Sequence, residues 1–184
     1  MQNGGFESGQ VIWIQSNSYI IDQYYHHSGS WSAWFGGYSY ADDRLYQTIN
    51  IPTGVRSARL TLYLHVYTEE DPNDDPYDYF HVELQNTSGQ TLETFLWADN
   101  RMSSSGWYVG TMTWNDFSAH AGQSRRLFLR GTNDSLYFTN FFVDDITLWT
   151  YCNSLGAEPT GSTWQKLDAP PGYTPVQPTK PKGQ

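Results

Sequence analysis

The chain has 184 residues, enough for one domain with a substantial core and an additional segment. Aromatic residues make up 17% of the sequence and charged residues only 16%, which favours a turn-rich all-β fold over a helical one. The net charge of −9, with no lysine before Lys166, argues against binding to nucleic acid or to an anionic membrane surface, because both partners require a positive patch.

Cysteine usage and the amino terminus bear on cellular location. Cys152 is the single cysteine, so an internal disulfide is excluded, which suits a bacterial secreted protein better than a small eukaryotic ectodomain. No apolar run reaches membrane-spanning length, and Met1 leads directly into Gln-Asn-Gly-Gly rather than into a signal peptide. We therefore expect an extracellular or cell-surface module that is linked to other domains of a larger secreted chain.

Alternating apolar and polar residues predict about nine strands and almost no helix. In the clearest strand, residues 58–68, the side chains of Leu60, Leu62 and Leu64 share one face. One helical turn is expected within residues 115–122. This pattern predicts an all-β, two-sheet antiparallel β-sandwich of jelly-roll type. The predicted strands cover residues 11–15, 30–37, 44–51, 58–68, 77–85, 91–98, 107–114, 125–131 and 141–149.

The composition changes near residue 156, where proline becomes frequent. We assign residues 1–155 to the β-sandwich module and residues 156–184 to a Pro-rich linker or tail that cannot join a sheet. Trp164 and Leu167 offer two side chains that would attach the first half of this tail to the domain.

Both ends of the module carry known motifs. Asn-Gly-Gly-Phe-Glu at residues 3–7 and Phe-Val-Asp-Asp-Ile-Thr-Leu at residues 142–148 resemble the terminal signatures of jelly-roll carbohydrate-binding modules of families 4, 9 and 22. The middle of the chain resembles the related MAM-like jelly rolls found beside secreted bacterial peptidases. That second match lies in residues 43–52, 68–70, 78–80 and 117–123. Together the motifs imply a jelly roll, but they do not choose between the two groups.

The resemblance implies a structural calcium ion between the first and last strands. Glu7 and Asp144 would be its side-chain ligands, with a backbone oxygen near Gly5 and another in the loop before Trp31, and Asp145 is the second choice of carboxylate. Hard oxygen ligands in this number suit Ca²⁺. The alternative is that Asp144 accepts backbone N–H bonds and nothing more.

Rings alternate with leucine and valine along several predicted strands, so one sheet is expected to have a ring-rich face away from the core. Sugars stack their C–H faces on such rings and hydrogen bond to polar groups beside them, so this face predicts a polysaccharide or oligosaccharide ligand. The alternative is that residues 16–29 or the tail cover the face. The predicted ligand-binding residues are Tyr63, His65, Tyr67, Tyr79, His81, Glu83 and Trp97.

Residues 69–78 contain six carboxylates and lack the spacing of an EF-hand. We interpret this segment as a solvated charged loop. The alternative is a second Ca²⁺ site, with Asp78 and Glu70 as the first choices of ligand.

Catalytic motifs are missing from the sequence. It contains no nucleophile elbow, zinc-binding helix motif or phosphate loop, and Glu83 and Glu93 are the only strand acids that look able to line the ring-rich face. We therefore expect no enzymatic activity. The best interpretation is a non-catalytic carbohydrate-binding module with a structural calcium, part of a larger secreted glycan-degrading or surface protein. The alternative is a MAM-like accessory or adhesion domain of a secreted peptidase that mediates protein interaction.

Overall fold

The computed structural model describes residues 1–71, 73, 75–103, 105–153 and 160–166. Across these residues the chain forms eleven strands and two short 3₁₀ helices, and the predicted all-β sandwich is confirmed. Within this part of the chain, no helix is both long enough and apolar enough to cross a membrane. The strands are β1 Ile14–Gln15, β2 Ile21–Asp22, β3 Ser32–Gly36, β4 Asp42–Asn50, β5 Ser57–Thr68, β6 Tyr79–Gln85, β7 Thr91–Asp99, β8 Tyr108–Trp114, β9 Ser124–Thr132, β10 Thr139–Tyr151 and β11 Gly161–Lys166.

The strands form two antiparallel sheets. Sheet A has the order β1-β4-β9-β6-β7, and sheet B has the order β11-β8-β5-β10-β3-β2. The 3₁₀ helices, Asn100–Met102 and Ser118–His120, lie in loops. The second of them falls in the region where one helical turn was predicted.

The main core lies between the two sheets. The leucines of β5 that were predicted to share a face are fully buried there. Phe80 of sheet A packs against Phe35 and Phe141 of sheet B, with ring centroids 5.4 and 5.9 Å apart. Burying large aromatic side chains between the sheets stabilises the sandwich because it removes apolar surface from contact with water.

One element departs from the predicted domain boundary. Gly161–Lys166 forms strand β11, which pairs antiparallel with β8 along its whole length. The expectation that nothing in 156–184 joins a sheet is therefore wrong for these six residues, since β8 offers an unpaired strand edge. Residues 154–159 and 167–184, including Leu167, lie outside the described part of the chain.

The amino-terminal segment is attached to the last strand of the module. The amide of Ile146 on β10 donates to the carbonyl oxygen of Gly4 (2.9 Å). A β-bulge between Asp144 and Thr147 gives Asp145 a φ of +48° and opens the strand at this point. The backbones lie so close that a β-carbon on Gly4 would collide with the carbonyl oxygen of Ile146.

We therefore predict that Gly4→Ala lowers the free energy of unfolding by about 1–3 kcal/mol, the usual range for steric overpacking. Gly54→Ala is the matched control, because its β-carbon would meet only Cys152 Sγ at an ordinary 3.8 Å. Chemical denaturation of both variants measures the difference, and equal stabilities would contradict this close contact.

Candidate functional site

The outer face of sheet A carries cross-strand rows of ring and charged side chains. Alternation along β4 and β9 buries Leu45, Leu127 and Leu129 and turns their neighbours outward. Strand register then aligns the outward residues across the sheet. One row contains Tyr46, Phe128 and Glu83, and the next contains Arg44, Arg130, His81 and Trp97.

Tyr79, His81 and Trp97 form a ring cluster at one side of this face. The Tyr79 ring centroid lies 6.2 Å from that of His81 and 6.4 Å from that of Trp97. The Tyr79 hydroxyl donates to the Pro76 carbonyl oxygen (2.6 Å), which fixes the ring. Trp97 is 51% exposed. Partial burial lowers the pKa of His81, so its ring is neutral near pH 7.

A groove of about 440 Å³ runs along the same face. Tyr46 and Phe128 supply rings to its floor, and the Arg126 guanidinium lies 4.6 Å from the Tyr46 ring centroid. The Glu83 carboxylate, also in the groove, accepts hydrogen bonds from Gln85 Nε2 (2.9 Å) and Thr91 Oγ (2.6 Å). The groove therefore presents flat apolar surfaces beside oriented donors and acceptors.

An ion-pair network orders the arginines at one side of the groove. Asp42 accepts hydrogen bonds from both Arg44 and Arg130, including one of 2.7 Å from Arg130 Nε. The hydrogen bonds from Arg44, then those from Arg130, hold the pKa of Asp42 down to about 2. Asp42 is therefore ionised at neutral pH and restrains both guanidinium groups.

Several groove residues were absent from the predicted ligand set, although a signal for them exists. Tyr46, Arg126 and Phe128 occupy the alternate positions of strands whose inward leucines are plain in the sequence. Period-two alternation alone places them outward. What alternation does not reveal is that β9 lies between β4 and β6 in one sheet.

The prediction that the rings of Tyr63, His65 and Tyr67 share a face with those of β6 and β7 is wrong. These three residues lie on β5, which pairs with β8 and β10 in sheet B, whereas β6 pairs with β7 and β9 in sheet A. The chain crosses from one sheet to the other between Thr68 and Tyr79. The two groups therefore point away from opposite sides of the sandwich.

The ring-rich face of sheet B is covered by the segment 24–28, which is the alternative considered above. Tyr25 stacks on Trp107 with centroids 5.3 Å apart and planes 2° apart, and His27 stacks on Tyr63 at 3.8 Å. His65 is only 3% exposed, and its Nδ1 donates to the Gly106 carbonyl oxygen (3.0 Å). These contacts form a second small core around Trp34, Trp107 and Phe142, so His65 has no access to a soluble ligand.

Simple alternation along β7 would place Phe95 on the same outward side as Trp97, and the structure departs from this. Pairing between β6 and β7 is irregular between Val82 and Glu83, which leaves Phe95 without a partner on β6, and again between Leu84 and Gln85. Phe95 consequently turns into the main core, where its ring meets Trp114 edge-on at 4.6 Å. A bulge of this kind reverses side-chain direction and is invisible to simple alternation.

The residues assigned to the predicted calcium site gather around the segment 27–31. Asp144 is fully buried, and its Oδ2 accepts the amide protons of His27 (2.9 Å) and Ser28 (3.1 Å). Glu7 accepts the amide of Trp31 (2.9 Å).

Asp145 and Gly5 adjoin the same segment. Asp145 Oδ2 lies 2.8 Å from His27 Nδ1, and a β-carbon on Gly5 would lie 3.1 Å from Asp145 Oδ1. These oxygens are hard donors that match Ca²⁺ in type. Asp144 does accept backbone N–H bonds, as the alternative to a calcium ligand expected. The calcium ion itself stays a prediction.

Comparisons with known proteins bear on the fold. No family model matches the chain, and no curated protein matches it. Among solved structures, TmCBM61 in complex with β-1,4-galactotriose has a TM-score of 0.59 at 14% identity, covering 82% of this chain and 97% of its own. The C-terminal family 22 carbohydrate-binding module of Clostridium thermocellum Xyn10B has a TM-score of 0.51 at 13% identity, covering 82% of this chain and 95% of its own.

A third similar structure comes from another class. The K3 cleaved adhesin domain of Lys-gingipain from Porphyromonas gingivalis has a TM-score of 0.52 at 13% identity, with coverage of 79% of this chain and 96% of its own. At such identities the likeness shows the fold. The predicted resemblance to jelly-roll carbohydrate-binding modules is confirmed at that level.

The buried His65 ring predicts a pH effect on stability. Burial lowers its pKa, and the hydrogen bond to Gly106 opposes this only in part. In the unfolded chain His65 takes up a proton near pH 6.5, whereas in the folded protein it takes up that proton only at a lower pH. The stability contributed by neutral His65 is complete above about pH 6.5 and is lost as the pH falls below that value.

Between about pH 8 and about pH 5, protonation of His65 lowers the melting temperature, whereas burial raises the pKa of Asp144 to about 6 and acts in the opposite direction. We therefore expect the melting temperature of the wild type, measured relative to that of His65→Gln, to fall as the pH is lowered from about 8 to about 5. His26→Gln, at an exposed position, is the control and should retain the wild-type profile. Identical profiles for wild type and His65→Gln would show that His65 does not cause the effect.

Proposed function

We propose that this protein is a non-catalytic carbohydrate-binding module whose ligand occupies the groove on the outer face of sheet A. The observation that carries the proposal is the groove itself, in which ring surfaces and oriented polar groups lie side by side. Sugar rings present C–H faces that stack on Tyr46 and Phe128 in the groove and on Trp97 beside it, while their hydroxyls hydrogen bond to groups such as Arg126 and Glu83.

The dimensions of the face suit a short oligosaccharide or a segment of polysaccharide. From Tyr46 on β4 to Trp97 on β7 the face spans three strand spacings, roughly 14 Å. Two neighbours in fold support this ligand class, since TmCBM61 was solved with β-1,4-galactotriose and a family 22 module from Paenibacillus barcinonensis Xyn10C is a xylan-binding domain.

The acids support a binding role without catalysis. Glu83 accepts hydrogen bonds from Gln85 and Thr91, whereas Glu93 accepts a hydrogen bond from Trp114 Nε1 (2.8 Å) and lies 3.0 Å from His120 Nε2. These partners direct the two carboxylates to different places, so they are not paired across one cleft as glycoside hydrolysis requires. A location outside the cell and linkage to other domains remain part of the proposal.

The second candidate is an adhesion domain that binds protein. The similarity to the K3 adhesin domain and the closure of the sheet B face favour it. The two candidates differ in the partner expected at the sheet A face, so the same surface variants test both.

We predict that Trp97→Ala weakens polysaccharide binding by roughly tenfold or more, because stacking of a ring on a ligand contributes about 1–3 kcal/mol. Trp149→Ala is the matched control, since Trp149 is 61% exposed but lies on β10 in sheet B. Affinity electrophoresis against a panel of plant and microbial glycans measures the effect. No retardation of the wild type by any glycan would reject carbohydrate binding, and equal retardation of both variants would reject Trp97 as part of the binding face of sheet A.

We also propose a structural Ca²⁺ at the Glu7 and Asp144 site. A cation at 100–1,000 times its Kd adds about 2.7–4.1 kcal/mol to the free energy of unfolding. Glu7→Gln should therefore lose most of the stabilisation that CaCl₂ restores to chelator-treated wild-type protein. Thermal unfolding with and without CaCl₂ measures this, and an undiminished gain in Glu7→Gln would refute calcium at this position.

A further inference from the structure

Three carboxylates converge at one end of the sandwich, away from the Glu7 and Asp144 site. Glu70 follows β5, Asp78 precedes β6 and Asp134 follows β9. One oxygen from each lies within 4.8 Å of the others. Since β5 belongs to sheet B and the other two strands to sheet A, the cluster spans the gap between the sheets.

Asp78, the central residue of the cluster, has one carboxylate oxygen that is not satisfied by a normal hydrogen bond. Asp78 is 0% exposed, and its Oδ1 accepts the amide proton of Asp134 (2.8 Å). Its Oδ2 is buried and has no partner with normal hydrogen-bond geometry, although Thr139 lies close enough to the carboxyl to oppose the rise of its pKa. A buried carboxylate oxygen without a partner costs free energy, and structures normally satisfy such an atom with a donor, a water or an ion.

The surrounding hydrogen bonds hold the carboxylates in place. Asn100 Nδ2 donates to Glu70 Oε2 (2.9 Å), while Asn100 Oδ1 accepts the amide of Tyr77 (3.1 Å). The amide of Leu136 donates to Asp134 Oδ1 (2.8 Å). Within the described residues, neither Asp78 nor Asp134 forms an ion pair with a basic side chain. The cluster is thus ordered and, within the described residues, has no basic side chain that balances the charge of Asp78 or Asp134.

We propose that Glu70, Asp78 and Asp134 bind a Ca²⁺ ion that ties the end of sheet B to sheet A. Ca²⁺ takes six to eight hard oxygen ligands in flexible geometry, and three carboxylates with water or carbonyl oxygens meet that requirement. The interpretation of residues 69–78 as a solvated loop applies to the exposed Asp71 and Asp75, and does not apply to the two buried acids.

The competing explanation is a shared proton. Burial raises the pKa of Asp78, and the hydrogen bonds from Thr139 and from the Asp134 amide oppose this only in part, so a proton offers another way to relieve the repulsion. The two explanations predict different effects of Asp78→Asn on calcium affinity. If the cluster shares a proton, the neutral amide stands in for the protonated carboxyl and calcium affinity does not change. If the cluster binds Ca²⁺, the variant loses the central charged ligand and calcium affinity falls.

Calcium titration of chelator-stripped protein near neutral pH, followed by calorimetry, tests the proposal. We expect Asp78→Asn and Glu70→Gln each to remove one binding event or to weaken it about tenfold or more. Asp75→Asn removes the same charge from an exposed position in the same loop and should bind as the wild type does. The event lost in Asp78→Asn must persist in Glu7→Gln, which separates this site from the one between the first and last strands.

Three results would overturn the proposal. These are unchanged calcium binding in Asp78→Asn and Glu70→Gln, a wild type that shows no calcium event sensitive to either variant, and a site that prefers Mg²⁺ to Ca²⁺. If Asp78→Asn fails to fold, Asp134→Asn at the half-exposed edge of the cluster provides the same comparison. Saccharide affinity is not a readout, so the result is independent of the groove.

Discussion

Hydrogen bonds from the backbone of segment 27–31 to Asp144 and Glu7 determine which surface of this sandwich is open. Asp144 on β10 accepts the amide protons of His27 and Ser28, and Glu7 accepts that of Trp31. Hydrogen bonds from backbone N–H groups to a buried carboxylate are among the stronger ones in proteins. They hold Tyr25 and His27 against the rings of sheet B, which closes that face and leaves the face of sheet A open.

The closed face and the open face use the same residue types for different purposes. On sheet B, Tyr25 and Trp107 stack on each other in a small second core. On sheet A, rings alternate with arginines, and three of the seven arginines in the chain line one groove. In a protein of net charge −9 this placement brings a local excess of donors to the open face, which suits a ligand rich in oxygen atoms.

The acids divide in a similar way. Asp42 is paired with arginines and is ionised, and Asp144 is satisfied by backbone amides. Asp78 has neither kind of partner for its Oδ2. Carboxylates that look equivalent in the sequence therefore have different roles, because burial and the nearest donor set the energy of the charged form.

The sequence by itself determined the all-β class, most strand positions and the direction in which β5 and β6 present their side chains, because period-two alternation is a local property. It also indicated that the amino-terminal segment lies beside the last strand, which the hydrogen bond between Ile146 and Gly4 confirms. Tertiary structure decided the rest: β5 and β6 lie in different sheets, a bulge turns Phe95 inward, and β11 adds an edge strand. These outcomes depend on pairing between distant segments, and alternation within a strand carries no information about which strand lies beside it.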